Sequence, residues 1–226
     1  NHTTFMKFFL LMFCVITVCS NAATQPTQYS VANAHAHNDY NQLRPFYQAY
    51  EKKFGSIEAD IHLRNGVLVV GHDSDKLVMA NTLEKLYLDP IVQALQQNGG
   101  FIYGDRSRQL QLLVDLKTEP ITTLNRLIRV LLQYPSIIQN ETIKIVITGN
   151  KPPEESFMEY PAFILFDCDA GKSHSKKALT KIAMLSENFE DYSKWDGNAA
   201  MPDSAKRVIT AMIKRVHQLR KPIRFY

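Results

Sequence analysis

Two carboxylates spaced two residues apart are the feature of this sequence that points most directly to chemistry. Glu58 and Asp60 lie in the largely apolar segment 56–63, which reads as a buried strand. Side chains two positions apart on a strand share a face, so both acids point the same way. Burying two carboxylates is unfavourable unless a cation binds them. Because their oxygens suit a hard cation, the pattern predicts one divalent cation, Mg2+ or Ca2+.

Histidines stand on both sides of this strand. His35 and His37 precede it, and His72 follows a short second strand that begins after Asn65-Gly66, the dipeptide most typical of a tight hairpin. The hairpin is expected to return His72 to the neighbourhood of the two acids. Imidazoles gain and lose protons near neutral pH and act as general acids and bases. A divalent cation beside two imidazoles is a setting for phosphoryl chemistry.

The order of these motifs resembles the phospholipase C-like phosphodiesterase superfamily. That group includes glycerophosphodiester phosphodiesterases, phosphatidylinositol-specific phospholipase C and sphingomyelinase D-type enzymes. The resemblance covers about residues 31 to 150, and its first motif is most similar to a His-x-His-Asn-Asp-Tyr branch from bacteria and fungi. The matching pieces are His35-Ala-His37-Asn38-Asp39-Tyr40, Glu58-Ala-Asp60, Gly71-His72-Asp73 and Val114-Asp115-Leu116-Lys117.

The resemblance implies the roles of the site residues. Asp115 would join the two acids of the first strand as a third metal ligand. Lys117 would be catalytic and would bind the substrate phosphate, and Asn38 would bind substrate or metal. His72 and one of His35 and His37 would be the acid–base pair. His35 is slightly preferred because it ends an apolar run.

The same resemblance implies the reaction and its substrates. A neighbouring hydroxyl of the substrate would attack phosphorus, one histidine would take its proton, and the other would protonate the departing alcohol. The expected ligand is a small-molecule phosphodiester, either a glycerophosphodiester or a phospholipid head group.

Strand-like and helix-like segments alternate along the chain, which predicts parallel βα units and an α/β fold. Combined with the resemblance, this predicts a (β/α)8 TIM-type barrel. Seven strand starts are visible, the last at 222–226. We therefore expect residues 23–226 to form a single barrel domain that is truncated before strand 8. The predicted parallel strands are 31–35, 56–63, 110–116, 144–148, 162–166, 182–185 and 222–226.

The first 22 residues are expected to be removed. Lys7 precedes an apolar run of about a dozen residues that ends in Ser20-Asn21-Ala22, the pattern of a secretory signal peptide. Met6 is the natural start, so residues 1–5 would be upstream sequence. We expect cleavage near Ala22 and a secreted or periplasmic protein, with lipidation at Cys19 as the alternative.

The composition limits the number of domains, the partners and the disulfides that the chain can have. With 226 residues and 45% apolar content, the chain can bury one sizeable core. A net charge of +4 without a run of basic residues gives no footprint for nucleic acid. The signal segment is too short for a stable membrane span. Cys168 would be the sole cysteine after cleavage, so no intrachain disulfide is expected.

Two other readings stay open. A His-x-His pair at the end of the first barrel strand, here His35 and His37, is also how metal-dependent amidohydrolases bind zinc. Those enzymes need further histidines on strands 5 and 6, where this sequence has Asp167-Cys168 and Ser186-Glu187. The second alternative is a catalytically inactive, truncated barrel.

Overall fold

The computed structural model describes residues 28–226, and within them a parallel sheet forms the centre of an α/β fold. Seven parallel strands follow one another in the order β1-β2-β4-β5-β6-β7-β8, and β3 pairs antiparallel with β2. The predicted barrel strands are thus confirmed in number and order. The strands are β1 (His35–Ala36), β2 (Ser56–Arg64), β3 (Val67–Val70), β4 (Leu110–Leu116), β5 (Ile143–Gly149), β6 (Ile164–Asp169), β7 (Ile182–Glu187) and β8 (Ile223–Phe225).

Helices connect the parallel strands and cover the outer side of the sheet. The α-helices are α1 (Tyr47–Glu51), α2 (Asp89–Gln97), α3 (Pro120–Leu131), α4 (Pro135–Ile138), α5 (Lys176–Leu179) and α6 (Asp203–Gln218). Short 3-10 turns lie at Val31–Asn33, Asp39–Asn41, Glu154–Glu159 and Phe189–Asp191, and a π-helical turn at Glu84–Leu88 leads into α2. The longest helix is α6. None of the helices between residues 28 and 226 has the length and apolarity of a membrane span.

The inner face of the sheet changes from apolar to polar toward the carboxyl ends of the strands. Leu113, Val146 and Met184 form a small buried cluster, against which Leu165 packs. Since side chains two apart share a face, the next inward residue on each strand lies one layer higher. The residues of that upper layer are Asp115 on β4, Thr148 on β5, Asp167 on β6 and Ser186 on β7. An apolar floor therefore supports a ring of polar groups.

The β2–β3 hairpin forms at the predicted dipeptide. Asn65 and Gly66 both have positive φ angles, 49° and 78°, as a two-residue turn of this kind requires. Glycine adopts such a φ without strain. The hairpin continues at Gly71, whose N–H donates to the carbonyl of Asp60 at 3.1 Å, so His72 emerges beside the end of β2.

The sheet is curled but its two outer strands are not joined by backbone hydrogen bonds. Within residues 28–226, β1 pairs with β2 and β8 pairs with β7. Side chains bridge the gap between them: the guanidinium of Arg224 on β8 lies 3.0 Å from Nε2 of His35 on β1. We call this gap the β1–β8 seam.

Two predicted strands differ from the structure by more than two residues at one end, and the others agree to within two residues. The predicted first strand at 31–35 is wrong, because Ser30 caps a 3-10 turn over Val31–Asn33 and the strand is His35–Ala36. The fifth parallel strand runs from Ile164 to Asp169 rather than over 162–166. The predicted signal peptide, its cleavage near Ala22 and the alternative lipidation at Cys19 lie outside the described residues.

Candidate active site

A cavity of about 430 Å3 opens at the carboxyl ends of the parallel strands, where the active sites of barrel enzymes form. Its walls include side chains from β2, β4, β5, β6, β7 and β8, together with the turn after β1 and the end of the hairpin. Of the sequence-predicted residues, it is lined by His37, Asn38, Glu58, His72, Asp115 and Lys117.

The three predicted metal ligands lie together. Glu58, Asp60 and Asp115 each offer an oxygen, and these oxygens are within 4.8 Å of one another. The parallel register of β2 and β4 sets Asp60 directly beside Asp115. Lys117 bridges the two, with Nζ 3.0 Å from Oδ2 of each.

Several observations show that this set fits a metal ion. Among residues 28–226, Oδ1 of Asp60 and Oδ1 of Asp115 are buried without a hydrogen-bond partner, a costly arrangement unless another group binds them. Burial raises the pKa of Asp60, against the hydrogen bonds from Lys117 and Tyr40. Three carboxylates form an all-oxygen donor set, which is the chemistry of Mg2+ and Ca2+ sites. The prediction of a divalent cation site is consistent with this geometry.

Glu58 is held differently from the two aspartates. It is 4% exposed, and its Oε2 lies 2.7 Å from Nε2 of His35 and 3.4 Å from the guanidinium of Arg224. Burial would raise its pKa, but the hydrogen bond to His35 and the charge of Arg224 outweigh that effect and lower the pKa. Glu58 is thus stabilised as a carboxylate.

The His-Asn-Asp-Tyr sequence after β1 forms a turn. Some of its side chains anchor the turn to the rest of the protein, and others line the cavity. Asp39 is 1% exposed, and its Oδ2 accepts from the backbone N–H of Phe46 at 2.5 Å and from the hydroxyl of Tyr87 at 3.1 Å. Tyr40 donates to Oδ2 of Asp60 at 2.8 Å and lies 2.7 Å from the amide of Asn38. The turn therefore fixes Asn38 at the cavity and supports one of the acids.

The histidines occupy different positions in the site. His37 is exposed and lines the cavity, whereas the ring of His35 is tied by Nδ1 to the Ser56 hydroxyl at 2.8 Å and by Nε2 to Glu58. His72 is 60% exposed in its side chain, with Nδ1 2.7 Å from Oδ1 of Asp73. His37 and His72 are therefore the two cavity-lining histidines with accessible rings.

The sequence reasoning missed several cavity residues, among them an arginine and an aspartate that contact each other. Arg224 on β8 and Asp167 on β6 form a buried ion pair at 3.2 Å, to which the hydroxyl of Ser186 adds a 2.6 Å hydrogen bond to Asp167. A signal was present: on β4 to β7 an apolar inward residue is followed two positions later by a polar one. That repetition marks the upper layer, although it does not say which groups bind.

The fold and the acidic cluster together define a class, the parallel α/β barrel-type proteins with a polar cavity at the carboxyl ends of their strands. The AIM6-like phosphodiesterase domain matches residues 26–158. The chain belongs to this family of phosphodiesterase domains, and the superfamily resemblance read from the motifs is confirmed.

Curated relatives are fungal. Altered inheritance of mitochondria protein 6 from Kluyveromyces lactis is 32% identical over 169 residues, which cover 58% of this chain and 40% of the relative. The Eremothecium gossypii protein of the same name is 31% identical over 155 residues, 55% and 39% of the two chains. A homolog from Arthroderma benhamiae is 41% identical over 69 residues, 28% and 22% of the two chains. The chain thus spans about two fifths of the length of the first two relatives.

Among solved structures, a glycerophosphodiester phosphodiesterase from Parabacteroides distasonis matches with a TM-score of 0.47 and 15% sequence identity. The match covers 85% of this chain and 82% of that one.

Proposed function

We propose that this domain is a metal-dependent phosphoric diester hydrolase acting on glycerophosphodiesters or phospholipid head groups. The observation that carries the proposal is the convergence of two buried carboxylates, a partly buried one and a lysine with two accessible histidines. Membership of the phosphodiesterase domain family supports it.

The cation would be Mg2+ or Ca2+, bound by Glu58, Asp60 and Asp115. When bound, it offsets the charge on the phosphoryl oxygens and polarises them. Lys117, beside two of these ligands, contributes an ammonium group for the same oxygens. Asn38, fixed at the cavity wall by the turn after β1, can donate an amide hydrogen bond to the substrate.

His37 and His72 are the proposed acid–base pair, because both line the cavity. One takes the proton of the attacking hydroxyl and the other protonates the departing alcohol. The geometry favours His37 over His35 for this role, since both ring nitrogens of His35 are already engaged. His35 then serves to hold Glu58 in place.

The N-terminal segment supports a further part of the proposal, a secreted or periplasmic location. A lysine followed by an apolar run and small residues before position 23 is typical of a signal peptide. Such an address suits an enzyme that acts on phosphodiesters outside the cytoplasm. N-terminal sequencing of the exported protein should place the new terminus near Ala23.

The zinc amidohydrolase alternative has one observation in its favour. Ligand atoms of His35, His37 and Glu58 also lie within 4.8 Å of one another. The inward groups at the ends of β6 and β7 are Asp167 and Ser186, however, so no histidine reaches this cluster from those strands of the described structure. Family membership adds to the case for phosphodiester chemistry.

The proposal is tested by cleavage of bis(p-nitrophenyl) phosphate and glycerophosphocholine with and without Mg2+ or Ca2+. Glu58→Ala should lower metal-dependent turnover by at least about 100-fold, because it removes one ligand and leaves Arg224 unpaired on that side. Glu141→Ala, which removes an exposed partner of Arg106, is the matched control and should behave like the parent. A folded parent without turnover, or a fully active Glu58→Ala variant, would refute the proposal.

A further inference from the structure

A second cavity adjoins the first and shares a wall with it. Its volume is about 480 Å3, within the range of about 300–1,000 Å3 usual for small-molecule sites. Asn38 and His72 line both cavities. The rest of its wall comes from the end of β3, the loop after it, and the turn after β1. The chemistry proposed above makes no use of this second cavity.

His72 is oriented in the shared wall by its neighbours. Its Nδ1 lies 2.7 Å from Oδ1 of Asp73, and Lys76 donates to the other oxygen of Asp73, also at 2.7 Å. A carboxylate bound at Nδ1 keeps the proton on that nitrogen, which leaves Nε2 to exchange the catalytic proton. The Asp73 charge is meanwhile balanced by Lys76.

When His72 serves as the acid of the pair, its position in the shared wall indicates where the departing alcohol lies. Its oxygen is bonded to a phosphorus atom beside the carboxylates in the first cavity, and it takes a proton from His72 in the shared wall. The carbon skeleton attached to that oxygen would then extend into the second cavity. We propose that the second cavity is the subsite for the departing alcohol, an inference that rests on the proposed phosphodiesterase function.

The proposed reaction exchanges one bond at phosphorus for another and moves two protons. The attacking hydroxyl forms a new bond to phosphorus and gives its proton to His37. The bond between phosphorus and the departing oxygen breaks, the electron pair stays on that oxygen, and the proton of His72 Nε2 completes the alcohol. The alcohol is released into the second cavity.

The chemistry of the wall favours a neutral polyol. Asn41 and Asn81 present side-chain amides, which both donate and accept hydrogen bonds as hydroxyl groups do. A quaternary ammonium group would instead need an unpaired carboxylate or several aromatic faces. Asp73 is already paired, and Tyr40 is the aromatic residue among the described residues that line this cavity. The predicted alcohol is therefore glycerol-like or inositol-like rather than choline-like.

Two diesters that differ in the departing alcohol test the inference. Attack by a glycerol hydroxyl releases glycerol from glycerophosphoglycerol and choline from glycerophosphocholine. The parent protein, assayed with Mg2+ or Ca2+, should have the higher kcat/KM on glycerophosphoglycerol. The double variant Asn41→Ala/Asn81→Ala should lower the ratio of the two kcat/KM values about tenfold, the effect of losing two hydrogen bonds to a neutral ligand.

A cavity-filling variant provides a second measurement. Val78 lines the second cavity and is 56% exposed, so Val78→Trp should block the subsite and lower kcat/KM on glycerophosphoglycerol. Val208→Trp is the matched control, because Val208 is 51% exposed on the remote helix α6. It should leave that value unchanged.

The outcomes separate the two proposals. Metal-dependent turnover with equal kcat/KM on the two diesters, or variants that lower both in proportion, overturns the subsite while the phosphodiesterase function stands. A folded protein that cleaves neither diester nor bis(p-nitrophenyl) phosphate overturns both. A ratio that favours glycerophosphoglycerol and collapses in the double variant supports the subsite.

Discussion

In the proposed active site, Lys117 would compete with a metal ion for the same two carboxylates. Its ammonium lies 3.0 Å from oxygens of Asp60 and Asp115 and neutralises part of their charge. A cation bound by these groups would meet the positive charge of Lys117 at short range. The lysine therefore stabilises the two carboxylates, and with the proposed cation bound its charge would be available to the phosphate.

We expect Lys117→Met to bind the cation more tightly and to turn over more slowly. Removing the nearby positive charge should tighten binding about tenfold, less than full Coulomb repulsion at about 4 Å because solvent screens Lys117. Titration calorimetry gives the affinity, and Lys194→Met, an exposed lysine paired with Glu190, is the control. Unchanged or weaker metal binding would contradict the competition.

Asp167 predicts a pH dependence of stability. Burial raises its pKa above the ordinary 3.8, and the charge of Arg224 and the Ser186 hydrogen bond offset this only in part. Because the folded protein holds this proton more tightly than the unfolded chain, the group contributes stability at acid pH that is lost as pH rises through the raised pKa.

Asp167→Asn cannot titrate and should lack that slope. The free energy of unfolding of the parent, minus that of the variant, should fall as pH rises from about 3.8 toward the raised pKa and then level off. Urea unfolding followed by circular dichroism at a series of pH values measures the difference. A difference independent of pH would show that Asp167 titrates alike in the folded and unfolded states.

At the scale of elements, the backbone at the end of β5 holds the carboxylate of Asp115 on β4 in place. Gly149 has φ +70°, and a Cβ there would lie 1.8 Å from Oδ1 of Asp115. The close approach of the β5 backbone therefore depends on the absence of a side chain. Asp115 is confined between Lys117 and this glycine.

Gly149→Ala should weaken metal binding and destabilise the protein. The variant combines the strain of a positive φ, about 1 kcal/mol, with a clash that displaces Asp115. Gly66→Ala is a matched control, because Gly66 has φ +78° and nothing within 4 Å of its would-be Cβ. Thermal unfolding should show both losses of stability, but metal affinity should fall only in Gly149→Ala. An equal metal affinity in the two variants would refute the role of Gly149.

The elements also differ in how well they could be predicted from the sequence. The pairing of Glu58 with Asp60 and the Asn65-Gly66 turn follow from local periodicity and turn chemistry, which need no tertiary information. Arg224 and Asp167 were not predicted as site residues, because their partners lie on other strands and no local sequence pattern identifies them. The first strand was misplaced because the Ser30 cap favours a 3-10 turn over the apolar alternation that followed it.

At the scale of all the described residues, side chains connect the two edges of the sheet across the β1–β8 seam. Arg224 reaches His35 at 3.0 Å and Glu58 at 3.4 Å across it, while its other side pairs with Asp167 at 3.2 Å. One guanidinium thus links the first, second and sixth strands to the last. Removing one partner of a buried ion pair typically costs about 3–5 kcal/mol.

Arg224→Met should open the seam. We expect faster amide hydrogen exchange in β8 and its neighbour β7, with a smaller change in β4 and β5 at the centre of the sheet, because edge strands open locally before the core does. Arg44→Met removes an exposed pair with Glu51 and should leave these strands unchanged. Uniformly faster exchange in every strand would show that Arg224 supports global stability instead of the seam.

The contact across the seam also depends on the order in which the residues of the chain are synthesised. Arg224 and His35 are 189 positions apart, so the chain emerging from a ribosome presents Glu58 long before the guanidinium that pairs with it is made. Contacts of such sequence separation form late in folding, because the intervening chain must first lose its freedom. Until β8 arrives, Glu58 lacks this partner, while Asp60 and Asp115 already have Lys117 as a nearby cation. Completion of the pairing with Arg224 therefore reports that the strands between β1 and β8 have already been made.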